Sequence, residues 1–130
     1  EDSETPVYYV QYAHARICTL LKNLAADGHT VPSPDAVDFS LLTDSTELAL
    51  IKQIAGYSDI VRLAARDYDP SFINRYLTDL AAAFHKFYNA CRIKGEAEDL
   101  LNARLLLADT ARSVLKNGME LIGCSAPEKM

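Results

Sequence analysis

The sequence predicts an all-α fold, a bundle of about five helices packed round one core. Apolar residues recur at spacings of three and four along most of the chain. No stretch of five or more residues alternates with period two between turn signals. Glycine and proline, five of each in 130 residues, punctuate the periodic segments. The length suits one domain and is short for two separate cores. At 49% hydrophobic and 24% charged, the chain is neither disordered nor of low complexity.

Pro6 suits a first helical position, with Thr5 before it as a capping residue, and Gly28 ends the helix they open. Val10, Ile17, Leu21 and Leu24 mark the face of this helix turned to the core. Residues 28–44, with Gly28, Pro32, Pro34 and several Asp and Ser, read as an ordered loop. Asp44 with Glu47 three residues on forms a capping box for a second helix ending near Gly56. Ser58 is the expected cap of a short third helix running to about Asp67. Asp69-Pro70 opens the fourth helix, where Ile73, Leu77, Leu80, Phe84, Phe87 and Cys91 step alternately by four and three. Gly95 is its expected break. The fifth helix runs from about Glu98 to Ile122, with Leu100, Leu107, Ala111, Val114 and Leu121 as its expected buried stripe and Gly123 as its stop. Glu1-Asp2-Ser3-Glu4 lacks the basic start and apolar core of a targeting segment, so residues 1–5 read as a linker remnant before a helical domain at 6–130.

The net charge of −5 argues against generic binding to nucleic acid or to an anionic membrane, which rely on positive fields. No run approaches 18 apolar residues, the length a membrane span requires. Three widely spaced cysteines, Cys18, Cys91 and Cys124, suit reduced thiols and a cytoplasmic location. The acidity belongs to one half: residues 1–60 carry 3 basic and 9 acidic side chains, residues 61–130 carry 10 and 9. His14, His29 and His85 stand apart from the cysteines and from each other, so no metal-ligand spacing exists. Five scattered glycines build no phosphate-cradling loop, and no serine sits in a nucleophile elbow. The expectation is a chain with no catalytic site, no metal and no cofactor of its own.

What stands out instead is aromatic and basic. Tyr8, Tyr12 and Arg16 fall at i, i+4 and i+8, one ladder on one side of the first helix. Two readings fit it: a row flanking the core with hydroxyls at the rim, or a platform for an unstacked base with an arginine for phosphate or base edges. Tyr88 and Arg92 repeat the i,i+4 pair on the fourth helix. His14 and His85, beside apolar positions, read as hydrogen-bonded packing residues. Gly118 inside the fifth helix reads as a site of close helix approach.

Three long segments then carry a resemblance. Pro6 to Arg16, PVYYVQYAHAR, resembles the opening of the C-terminal anticodon-binding domain of bacterial arginyl-tRNA synthetases. Leu63 to Ile93 and Ala103 to Met130 are similar to that family's later helices and chain end. The resemblance covers about residues 5–130 and implies the DALR helical bundle. It implies a parent enzyme of protein biosynthesis, an arginine–tRNA ligase using ATP and Mg, whose class I catalytic domain would precede residue 1. Nothing in this sequence looks like the class I HIGH or KMSK signatures. The implied partners are the tRNA-Arg anticodon stem-loop and the catalytic domain of the same polypeptide, with no membrane and no DNA.

By the same resemblance, Tyr12 and Arg16 stand in the segment near the anticodon, and Tyr88, Asn89 and Arg92 in a second one. Met130 matches the family's terminal methionine; Tyr8 and Asn89 are secondary contacts. Lys129 departs from the usual arginine, keeping the charge and losing the planar fork. Leu101-Asn102 departs from the motif that names the domain. Every arginine anticodon has cytosine at its centre, so such a domain should grip one splayed cytosine and treat its neighbours loosely. Two alternatives stay open: a structural or protein-docking bundle without RNA contact, and the related domain of a cysteinyl or glycyl enzyme. The QYAHAR segment and the Met-terminated end argue against the latter.

Overall fold

A computed structural model describes the backbone of residues 5–130 and the side chains of residues 7–130. It contains five α-helices: α1 (Thr5–Ala26), α2 (Ser45–Ala55), α3 (Tyr57–Asp67), α4 (Ser71–Ala90) and α5 (Glu98–Leu121). Two 3-10 turns, Pro34–Ala36 and Phe39–Leu41, lie in the loop between α1 and α2. The expected linker lies outside the described residues except for Thr5, which is already helical.

The alternating spacing of α4 makes this helix the hub of the bundle. Ile73, Leu77, Leu80, Phe84, Phe87 and the following Cys91 are all buried, as their steps of four and three require. Phe84 and Phe87 are wholly inaccessible, and burial of such a ring is worth roughly 1.5–3 kcal/mol. All four other helices pack on α4. Tyr9 and Tyr12 meet His85, Arg16 meets Tyr88 and Asp27 meets Lys94, so α1 and α4 run in the same direction. Leu77 meets Gly118 while the carbonyl of Arg92 meets Arg104, so α5 runs opposite to α4. A Cβ at Gly118 would stand 2.6 Å from Leu77 Cδ2; hydrogen in place of a side chain sets how closely these helices pass.

The capping box forms as spaced: Glu47 Oε1 accepts the backbone N–H of Asp44 at 3.0 Å, and Asp44 Oδ1 accepts that of Thr46 at 2.9 Å. Three expectations are corrected. Ser58 lies inside α3, because Gly56 ends α2 and starts α3 at once and leaves no separate capping position. Helix α4 ends at Ala90, well before Gly95: Cys91 and Ile93 are both buried, and an extended backbone puts alternate residues on one side. Gly95 then turns the connection with φ +91°.

In α5 the expected stripe is rotated by about one residue. Leu101, Leu105, Ala108, Leu115 and Met119 are buried with Leu107 and Ala111, whereas Leu100 and Val114 are half-covered and Leu121 is exposed. This helix is packed from several sides, so adjacent residues Leu105, Leu106 and Leu107 are all buried, and no single row of its leucines defines the inner face.

Candidate nucleic-acid interface

An α-helix turns ~100° per residue, so residues three and four apart share a face. Helix α1 divides its circumference among three such faces. Val10, Ala13, Ile17 and Leu24 form the first and are buried in the core. Gln11, His14 and Cys18 form the second, which meets the C-terminal tail. Tyr12, Arg16, Thr19 and Asn23 form the third, which lines a cleft of about 280 Å3 together with Ala15, Leu20, Tyr88 of α4 and Met130.

The cleft volume suits a single heterocyclic base better than a drug-sized ligand. Tyr12 is 45% exposed, so its ring is no part of the core, and it tilts over His85 with 6.4 Å between centroids. Tyr88 packs on Phe84 at 6.0 Å and 20°, which fixes its plane, and Arg16 Cζ lies 4.6 Å from the Tyr88 ring centre. Arg16 Nη1 donates to His85 Nδ1 at 3.0 Å. That bond needs an unprotonated Nδ1, and the surroundings favour one: burial, then the positive charge of Arg16, holds the His85 pKa below its ordinary value. Both contacts orient the guanidinium without neutralising it. Among the described residues no carboxylate lies within ion-pair distance of Arg16.

The second face explains how Met130 reaches the cleft. Gln11 Nε2 donates to the carbonyl of Ser125 at 3.0 Å, and His14 Nδ1 donates to that of Pro127 at 2.8 Å. His14 is 1% exposed and hydrogen-bonded, the packing role its position suggested. Its pKa is lowered, chiefly by burial, against the raising effect of the Pro127 bond.

Of the residues singled out in the sequence, Tyr12, Arg16, Tyr88 and Met130 line one cleft, drawn from three separate stretches of chain. Tyr8, Asn89 and Arg92 are exposed outside it. Arg92 Nε lies 3.4 Å from Glu96 Oε2. Sequence reasoning gave His85 only a packing role and missed that it aims Arg16. Helical spacing puts Tyr9, Tyr12 and Arg16 on one side of α1, but only the parallel α4 of the structure sets His85 among them. A wider groove of about 810 Å3 between α2, α3 and α4 has Lys52 and Arg75 balanced by Asp59 and Asp79, so its charge favours no anion. Among the described residues no three His, Cys, Asp or Glu side chains are grouped to hold a metal, and no helix is long and apolar enough to cross a membrane.

The family model described as "DALR anticodon binding domain" matches residues 10–130. A protein called arginine–tRNA ligase from Ruminiclostridium cellulolyticum is 48% identical over 130 residues, covering 100% of this chain and 23% of its own length. Another of that name from Acetivibrio thermocellus is 45% identical with the same coverage. The solved Thermus thermophilus arginyl-tRNA synthetase superposes with a TM-score of 0.79 at 31% identity, over 94% of this chain and 21% of that one. The chain thus spans about a quarter of the length of the relatives it matches.

Proposed function

This chain belongs to the DALR anticodon-binding domain family, and we propose that its cleft between α1 and α4 holds one unstacked base of a tRNA anticodon loop. The observation that carries this reading is the convergence of Tyr12, Arg16, Tyr88 and Met130 on one base-sized cleft. Loop bases are gripped by stacking on aromatic rings and by hydrogen bonds to their edges. Tyr12 supplies an exposed ring, and Tyr88 a ring held in plane by Phe84. Met130 supplies a polarizable thioether wall. The forked guanidinium of Arg16 keeps donors free for paired acceptors.

The base proposed is cytosine. Its edge presents two neighbouring acceptors, O2 and N3, which a donor fork such as that of Arg16 can meet together. Uracil offers N–H at N3, so the same fork would face a donor. Every arginine anticodon has cytosine at its centre, and relatives named arginine–tRNA ligase match the whole of this chain. We therefore assign residues 6–130 to anticodon binding within a cytoplasmic arginine–tRNA ligase. ATP and Mg2+ would act in the catalytic part of that polypeptide, and no residue of this chain is assigned to them. Tyr8, Asn89 and Arg92, outside the cleft, are proposed to meet flanking nucleotides or phosphates.

The experiment is tRNA charging by the full ligase carrying Tyr12→Ala. The expected result is a raised KM for tRNA on the scale of one stacked base, roughly 1–3 kcal/mol, with the arginine and ATP dependence unchanged. An unaltered KM for tRNA would remove Tyr12 from the site.

A further inference from the structure

We propose that Gln11 and His14 are positioning residues that hold Met130 in place as a wall of the cleft. The inference rests on the reading of that cleft as a base-binding site and adds to it how one wall is kept. Residues after Gly123 have no helix or strand of their own. Gly123, at φ +78°, turns the chain off α5, and Cys124 N–H closes on the Met119 carbonyl at 2.8 Å. Beyond that point the tail runs along α1, where Gln11 Nε2 donates to Ser125 O at 3.0 Å and His14 Nδ1 to Pro127 O at 2.8 Å. Glu128 and Lys129 are exposed, and Met130 enters the cleft beside Tyr12 and Arg16.

The attachment is locked from both ends. His14 is buried and its Nδ1–H is taken by Pro127 O at 2.8 Å. Among the described residues only the weak acceptor Cys18 Sγ, 3.8 Å away, is an alternative, so the imidazole favours the attached tail. A short tail without such bonds would fray. The tail-holding face and the cleft face belong to the same rigid helix, so Met130 is set against Tyr12 and Arg16 before any ligand arrives. Prior ordering of this kind lowers the cost of binding. Met130 is 55% exposed, an apolar side chain displayed rather than buried, consistent with a wall awaiting a ligand.

The chain carries its own test probe. It has two methionines, Met119 in the core and Met130 at the cleft. With 13C-labelled methionine methyl groups, the Met119 signal reports folding and the Met130 signal reports docking of the tail. In His14→Ala and in Gln11→Ala, the Met130 signal should sharpen and move to the position of a solvated, unattached methionine while Met119 keeps its core position. His14→Asn, whose amide N–H can take the place of Nδ1–H, should restore it. A Met130 signal unchanged in both alanine variants would overturn the proposal.

A second measurement tests the consequence for RNA. His14→Ala and deletion of Met130 should each weaken binding of an anticodon stem-loop by about tenfold, with the double variant no weaker than either single one. Losses that multiply would contradict a shared route. The methyl measurement contains no RNA, so a failure of RNA binding and a failure of the tail attachment are read separately.

Discussion

Two arginines in this bundle face opposite surroundings. Arg104, on α5, has a side chain almost covered: its Nε donates to Glu47 Oε2 at 2.6 Å, its Nη1 donates to the Arg92 carbonyl at 2.6 Å and lies 3.7 Å from Glu96. Glu47 is 0% exposed and also closes the capping box of α2. That cation is spent on the fold, tying α2, α5 and the connection after α4 together. Arg16 is held instead by a neutral imidazole and the face of a tyrosine ring. Its orientation is fixed while its charge remains available. An arginine restrained by carboxylates is structural; one restrained by neutral groups at the wall of a cleft is poised for an anion or a base edge.

The contrast predicts that substitutions round Arg104 change stability and those round Arg16 change binding. The largest effect is expected for Glu47→Ala, which leaves the nearly covered Arg104 with only Glu96, 3.7 Å away, as a carboxylate neighbour. A loss of about 3 kcal/mol in urea unfolding is expected, the scale for breaking a buried ion pair. Stem-loop affinity of the folded population should stay as it was. Tyr12→Ala should do the reverse: stability within about 0.5 kcal/mol of the parent chain, and binding weaker by roughly 1–3 kcal/mol. Arg16→Lys keeps the charge but loses the fork, so about 1 kcal/mol of binding should disappear by titration calorimetry.

The smallest effect expected is a pH dependence. His14 and His85 both have pKa values lowered from 6.5, chiefly by burial, so the unfolded chain binds protons at a higher pH than the folded one. Their contribution to stability is therefore complete above about pH 6.5 and is lost as pH falls toward the lowered values. Asp38, Asp44 and Asp69, lowered from 3.8 by hydrogen bonds to Ser40, Thr46 and Ser71, withdraw theirs only in stronger acid. The urea midpoint should be lower at pH 5.5 than at pH 7.5, and His85→Gln should shrink that difference.

Much of this was legible in the sequence where a single pattern had no competitor. The steps of four and three from Ile73 to Cys91 name the inner face of α4 residue by residue, and Asp44 with Glu47 forms the capping box of α2 as spaced. Where several patterns overlap, periodicity alone misleads. Helix α5 has leucines on adjacent positions because it is packed from several sides, so its expected stripe was offset. Gly95 looked like a stop, but the burial of both Cys91 and Ile93 ended α4 earlier. The cleft itself was half legible. Helical spacing groups Tyr12 and Arg16 with Tyr8 and pairs Tyr88 with Arg92, and only the family resemblance singles out the cleft residues among them. The parallel placement of α1 and α4, and the return of the tail to Gln11 and His14, are tertiary facts. That is why His85 read only as packing.

The central claim, that the cleft between α1 and α4 reads one cytosine, is tested most directly by titrating this chain at low salt with two arginine anticodon stem-loops. One carries the natural central cytosine and the other uracil in its place. The uracil loop should bind at least about tenfold more weakly, the scale of one specifically held base, and Arg16→Ala should abolish the difference. Equal affinity for the two loops in the unaltered chain would contradict it.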